Sequence, residues 1–192
     1  MDKVRSFIAI ELPDELKTAL GQLEAQLKPG ATSAVKWVDP NSIHLTLEFL
    51  DSIDAARVPE ITAAVEKAAQ GIPPFHLEVK GLGVFPNPQR ARVAWVGVSG
   101  ETEPLFHLQK QVEAFVAPLG FPTEARPFSA HLTVARVRDY ISPDERKAFG
   151  ELICSTTLNI DYSFTVDSIY LMRSQLTREG AIYSRLSSVR LA

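Results

Sequence analysis

Apolar and polar positions along the chain follow two periods, and each period predicts a different kind of element. Val4 to Leu12 is rich in β-branched and aromatic residues and reads as a strand. After it, Pro13 opens a helix with Asp14 and Glu15 in the first turn, where the helix dipole favours anions. Leu16, Leu20, Leu23 and Leu27 then recur at helical spacing until Pro29-Gly30 stops the run. Val35–Val38 and Ile43–Leu50 return to strand character. A second helix is predicted from about Pro59 to Gln70, with Ile61, Val65 and Ala68 facing the core and Gly71 as its stop. Phe75–Val84 and Ala91–Val98 predict a hairpin joined by a long, proline-rich connection.

The second half continues in the same manner. Leu105, Leu108, Val112, Phe115 and Leu119 mark a helix over about 104–119, ended by Gly120. A strand follows at Ala130–Val137, then a short helix opened by Ser142-Pro143-Asp144-Glu145, which has the form of a capping box. Two long strand regions, Leu158–Met172 and Ala181–Leu191, meet at a turn marked by Gly180. Strands and helices mix without a βαβ rhythm, and the hairpins imply antiparallel pairing, so the predicted class is α+β.

Composition narrows the function classes. The 192 residues suffice for one domain with its own core. Net charge is −3 and evenly spread, with 10 basic and 12 acidic residues in 1–96 and 10 and 11 in 97–192. Broad charge attraction to nucleic acid calls for a basic chain, so any such role must rest on a local patch. No stretch approaches the ~18 apolar residues of a membrane span. Cys154 is the single cysteine, which excludes an intrachain disulfide and points to a reducing, cytoplasmic setting. Within Leu152-Ile153-Cys154 it reads as a small buried hydrophobe.

One internal echo carries chemistry. Ser42-Ile43-His44-Leu45-Thr46-Leu47 matches Ser129-Ala130-His131-Leu132-Thr133-Val134 at Ser, His, Leu and Thr. The echo predicts two similar halves, roughly 1–95 and 96–192, within one bilobal domain whose strands are free to cross. Strand alternation puts Ile43, Leu45, Leu47 and Phe49 toward the core, with His44 and Thr46 on the other face. Leu132 and Val134 face inward in the second copy, and His131 and Thr133 outward. If a pseudo-twofold axis relates the halves, two imidazoles and two hydroxyls converge on one cleft. Imidazoles there can serve as general base and general acid near neutral pH, while hydroxyls donate to anionic oxygens. Water attack on a phosphodiester needs those parts and no metal or other cofactor. Neither histidine has a partner at a familiar metal-ligand spacing, and a zinc site needs three or four ligands. His76 and His107 lack a threonine two residues on and read as structural.

The two elements resemble the paired signature of the 2H phosphoesterase superfamily, and more closely that of the RNA 2′,3′-cyclic phosphodiesterases, also called the bacterial and archaeal 2′-5′ RNA ligase family. The flanks agree over nearly the whole chain: Arg5-Ser6-Phe7-Ile8-Ala9-Ile10, Trp37 before the first motif and Phe49-Leu50 after it, Gly81 to Pro86, Arg92 to Trp95, Phe128 to Arg136, and Leu171 to Ser174 with Gly180 to Tyr183. One departure is Asp51, where the family continues with glycine; a turn accepts Asp nearly as well.

The resemblance implies two lobes, each an antiparallel sheet with helices on its outer face and a cleft between them. It implies metal-free opening of RNA 2′,3′-cyclic phosphate ends to 2′-phosphomonoesters, with His44 as proton donor and His131 as proton acceptor. Sequence symmetry alone leaves those two roles interchangeable. Thr46 and Thr133 would hold phosphoryl oxygens, and a 5′-hydroxyl in place of water would give 2′-5′ ligation. The implied partners are RNA ends or nucleotides bearing a 2′,3′-cyclic phosphate, with no membrane and no obligate protein partner. Arg136, five residues past His131, falls on the wrong face by strict alternation and reaches the phosphate only if the strand bends or ends there. Arg126 and Arg173 are further phosphate candidates that read more simply as surface charges. Phe7 and Tyr183 are candidates for stacking a base or for simple packing, and Phe49 reads as core by alternation, with base stacking as its minority reading. Two other readings stand beside this one: a 2H phosphodiesterase for a small cyclic or 2′-5′-linked nucleotide, and a non-catalytic module that binds RNA ends.

Overall fold

A computed structural model describes residues 2–192. The described residues form nine strands and four α-helices: β1 (Lys3–Glu11), α1 (Asp14–Leu27), β2 (Val35–Trp37), β3 (His44–Asp54), α2 (Val58–Ala69), β4 (Phe75–Phe85), β5 (Val93–Gly100), α3 (Thr102–Val116), β6 (His131–Val137), α4 (Pro143–Ser155), β7 (Ser163–Val166), β8 (Ser168–Thr177) and β9 (Gly180–Arg190). The class is α+β, as the pattern predicts. Both turns of the capping box close at the start of α4: Glu145 N–H donates to Ser142 Oγ, and Ser142 N–H donates to the Glu145 carboxylate. Among the described residues no helix is long and apolar enough to cross a membrane.

All pairing between neighbouring strands is antiparallel, and it builds two sheets. One has the order β3-β1-β8-β9 and the other β2-β6-β5-β4-β7. The orders β3-β1-β8 and β6-β5-β4 correspond, and the halves exchange strands: β2 and β4 join the sheet of β5 and β6, while β8 and β9 join that of β1 and β3. β4 leaves β1 and β3 to pair with β5, and β8 leaves β5 and β6 to pair with β1. A division near residue 95 therefore separates the two sequence copies but not the two sheets.

A single apolar core spans both sheets and all four helices. Ile8 and Ile10 from β1, Leu16 and Leu20 from α1, Ile61 from α2, Leu105 and Val112 from α3, Leu132 and Val134 from β6, and Ile153 from α4 are almost fully buried in it. Each such Leu, Ile or Val contributes about 1.5–3 kcal/mol. On the opposite face of the first sheet lies a small separate cluster, Phe7, Ala9 and Met172, flanked by Tyr170 and Tyr183.

Four sequence-based expectations change. The region 158–172 is not one strand: β7 ends at Val166 and joins β4, while β8 begins at Ser168 and joins β1 in the other sheet. On α3, Val116 is buried, while Phe115 is 37% exposed, because the helical stripe continues by one turn from Val112 to Val116. Cys154 is exposed, since Ile153 takes the inward position on α4. Phe49 is 66% exposed rather than buried. Its reversal comes from bulges in β3. Ile8 pairs with Glu48 and Ala9 with Thr46, so Leu47 is an extra residue; Ser6 pairs with Asp51 and Phe7 with Phe49, so Leu50 is another. An inserted residue reverses the inside–outside phase of everything after it. Asp51 lies at φ 57°, the left-handed conformation that favours glycine. That is the position where the resemblance to the 2H phosphoesterases implies glycine.

Candidate active site

His44 and His131 each start a strand, and both are anchored alike. His44 Nδ1 lies 2.8 Å from the Ser42 carbonyl, and His131 Nδ1 lies 2.7 Å from the Ser129 carbonyl. A carbonyl only accepts, so Nδ1 is the donor in each ring, and Nε2 is left to take or give a proton. The serines shared by the two sequence copies thus supply backbone anchors two residues before each histidine. Thr46 opposes Ala9 and Thr133 opposes Trp95, each one alternation along from its histidine and half-buried. Neither hydroxyl has a hydrogen-bond partner among the described residues.

Aromatic rings pack each imidazole. Phe7 stacks on His44 at 4.5 Å between centroids, and Tyr183 meets the His44 ring edge-on at 5.0 Å. Phe49 approaches Phe7 at 6.2 Å. On the other sheet Phe85 meets His131 edge-on at 5.0 Å and lies 5.4 Å from Trp95. Gly83 pairs with Trp95, and a Cβ at Gly83 would collide with the indole ring. The sequence had Phe7 and Tyr183 as stacking candidates. Phe49, Phe85 and Trp95 join them only through the bulge in β3 and the β4–β5 pairing.

Arg136 reaches the histidine face through a second bulge. Ala94 pairs with Ala135 and Trp95 with Thr133, so Val134 is the extra residue in β6. Burial follows the change: Val134 and Ala135 are both buried, while Arg136 is exposed on the side of His131 and Thr133. Both motifs carry the insertion at the same place, three residues after the histidine. Their +5 positions, Phe49 and Arg136, are therefore equivalents on the two sheets. That shared offset was a sequence signal that strict alternation hid.

The strands that carry the two motifs approach each other across the sheets. β3 and β6 approach with Cα atoms within 8 Å, and the Arg136 cation acts on His44. Burial is the largest influence on His44 and pushes its pKa below the usual imidazole value of 6.5. The hydrogen bond to the Ser42 carbonyl opposes that, Arg136 adds to it, Glu11 opposes it and Lys17 adds to it. Glu11 sits directly opposite His44 in the β1–β3 register. It is gripped by Arg185, whose Nε donates to Glu11 at 2.9 Å and whose guanidinium lies 4.3 Å from the Tyr170 ring centroid. Glu11 and Arg185 carried no sequence signal, because the contact between them spans 174 residues.

The other candidates fall outside this constellation. Arg173 alternates with Met172 and so lies on the opposite face from Phe7, and Arg126 is exposed in the irregular segment before β6. His76 is exposed and paired with Glu101 at 3.3 Å, and His107 lies on α3. No group of three or more His, Cys, Asp or Glu side chains with metal-binding proximity occurs among the described residues.

Known proteins with the same architecture are numerous. The RNA 2′,3′-cyclic phosphodiesterase of Methanothermobacter thermautotrophicus is 35% identical over 190 residues, 98% of this chain and 100% of that one. That of Thermotoga maritima is 32% identical over 95% of this chain and 93% of its own. Among solved structures, TT0787 of Thermus thermophilus superposes with a TM-score of 0.78 at 26% identity over 97% of both chains. Escherichia coli LigT complexed with 3′-AMP shares the fold with a TM-score of 0.80 at 24% identity, over 100% of this chain and 99% of that one. The family described as LigT like Phosphoesterase matches twice, over residues 10–95 and 96–183, once for each copy of the echo. By sequence over its whole length and by fold, the chain belongs to the LigT-like phosphoesterases of the 2H superfamily.

Proposed function

We propose that the protein opens 2′,3′-cyclic phosphate ends of RNA to 2′-phosphomonoesters, using the two His-x-Thr elements and no metal. One observation carries the reading. Two imidazoles with identical Nδ1 anchors sit beside free threonine hydroxyls, and Arg136 comes from the second sheet to the first histidine. His131 Nε2 takes a proton from water as the water oxygen bonds to phosphorus. The bond from phosphorus to O3′ breaks, and His44 Nε2 gives its proton to O3′. Thr46, Thr133 and Arg136 donate to the non-bridging oxygens, where charge builds in the transition state. His44 ends neutral and His131 charged, and solvent resets both. A 5′-hydroxyl in place of water attacks phosphorus by the same steps in the same direction, gives its proton to His131, and forms a 2′-5′ bond as O3′ leaves with the proton from His44. The relatives' printed activity, RNA 2′,3′-cyclic phosphodiesterase, supports the same substrate class. In this reading the protein acts in the cytoplasm, without a membrane or an obligate protein partner.

Burial favours a neutral His44, whereas a donor must be charged. A cyclic phosphate monoanion seated beside Arg136 offsets that cation and favours the imidazolium. The test is a product assay on an oligoribonucleotide with a 2′,3′-cyclic end, with pH profiles of wild type, His44→Ala and His131→Ala. The expected product is the 2′-phosphate, from a bell-shaped kcat/KM profile whose limbs belong to the coupled pair. Each variant should lose about 10²–10⁴-fold. A 3′-phosphate product, or unchanged bells with activity falling only alongside melting temperature, rules the assignment out.

A further inference from the structure

We infer that the first sheet carries a second phosphate site, built from Arg5, Ser52 and Ser174, which receives an internucleotide phosphate upstream of a cyclic-phosphate RNA end. The inference rests on the proposed function and extends its substrate from a nucleotide to an oligoribonucleotide. Residues paired directly across antiparallel strands share a face, with Cβ atoms about 4.5–5.5 Å apart. Ala9 pairs with Thr46, Phe7 with Phe49 and Met172, and Arg5 with Ser52 and Ser174. These are successive rows on the face that holds His44, and the packing of Phe7 against His44, Phe49 and Tyr183 fixes which face that is.

The burial pattern of β1 extends the face outward: Lys3 and Arg5 are exposed, and Val4 and Ser6 between them are buried. Arg5 has no ion-pair partner among the described residues, and its opposite neighbours are two serines rather than acids. Lys3, one row further, instead faces Asp54. A guanidinium flanked by two hydroxyls is an anion-binding set, since every group in it donates. Tyr183 pairs with Ser174 and closes the same row with an aromatic ring.

Spacing identifies the ligand. Each row along β1 is two residues, about 7 Å, so Arg5 lies about 14 Å along the strand from Ala9 and Thr46. An anion there is not the phosphate held between the histidines but one further along the same chain. Between the two rows stands Phe49, 66% exposed beside the buried Phe7, and an exposed ring of this kind stacks bases with little regard to sequence. Phosphate, base and phosphate are thus met in the order in which single-stranded RNA presents them.

Two substrates separate this track from the chemistry: a 2′,3′-cyclic mononucleotide, which lacks the upstream phosphate, and a short oligoribonucleotide with the same cyclic end. Arg5→Gln should lower kcat/KM for the oligonucleotide about tenfold and leave the mononucleotide unchanged, as for loss of one charge-assisted contact. Ser52→Ala/Ser174→Ala should act in the same direction. Fluorescence anisotropy with a labelled 3′-phosphorylated oligoribonucleotide gives a readout independent of turnover. There the salt dependence should fall by about 0.7 in log–log slope for one lost phosphate contact. Equal effects on both substrates, or unchanged oligonucleotide binding in both variants, would overturn the track. If wild type opens neither substrate while Arg5 still governs oligonucleotide binding, the proposed chemistry falls and the track stands.

Discussion

In the proposed function the half-buried Thr46 and Thr133 hydroxyls donate to the phosphoryl oxygens between the imidazoles. Replacing either with valine keeps the β-branched shape and removes one donor. Each variant should lose about 2.7–4 kcal/mol of transition-state stabilisation, as for one oxyanion-hole donor, with a melting temperature close to wild type. Steady-state kinetics beside calorimetry checks this, and wild-type rates in both variants would assign the hydroxyls a structural role. The His44 imidazole offers a second measurement, by NMR titration in the unliganded protein. Its midpoint should lie below the ordinary value, chiefly through burial. Arg136→Gln should raise it by removing a nearby cation, and Glu11→Gln should lower it further by removing an anion. A midpoint that ignores both substitutions would show that the two charges do not reach the ring.

At the scale of elements, the bulges after the two motifs decide which side chains face the cleft. In β3 the second inserted residue is followed by Asp51 in the left-handed region, a conformation that costs a non-glycine residue about 1–2 kcal/mol, less for Asp, whose side chain bonds locally. Asp51→Gly should therefore raise stability, by up to about 1 kcal/mol, and Asp51→Val should lower it by more. Chemical denaturation of the pair measures both. Gly83→Ala is a complementary probe on the other sheet. Its methyl would displace the indole of Trp95, the cross-strand neighbour of Thr133, so activity should fall further than stability.

For the whole molecule, two buried carboxyl groups set how stability follows pH. Glu48, at the first bulge of β3, is pushed up to about 7 by burial first and then by Glu113 and Glu124. Glu24, on α1, also rises to about 7, through burial first, with Asp39 adding and Lys28 opposing. A carboxyl whose folded pKa is raised binds its proton more tightly in the native state. Its contribution is fully present below about pH 4.5 and is lost as pH rises through about 7. His44 acts in the other sense. Its folded pKa is lowered, so its contribution is present above about 6.5 and is lost as pH falls below that. Glu48→Gln should consequently match wild type near pH 4.5 and exceed it at pH 8, by up to about 3 kcal/mol. Melting curves across that range would show the two lines diverging; parallel lines would mean that Glu48 ionises freely in the native state.

The amino-acid order by itself determined most of the elements, the α+β class and the two-copy design, and it singled out His44, Thr46, His131 and Thr133 as candidates. Those features are local, because helical and strand periods and a repeated tetrad are written in consecutive residues. Phe49 and Arg136 were not legible in that way. Alternation assigns both to the wrong face, and only pairing with β1 and β5 reveals the inserted residues that turn them outward. The split of 158–172 between two sheets, and the exchange of β4 and β8 between the halves, depend on partners far away in sequence. The lowered proton affinity of His44 is tertiary as well. It arises first from burial, under Phe7 and Tyr183, and then from cations, Arg136 of the other sheet and Lys17 of α1, none of which its neighbours in the sequence encode.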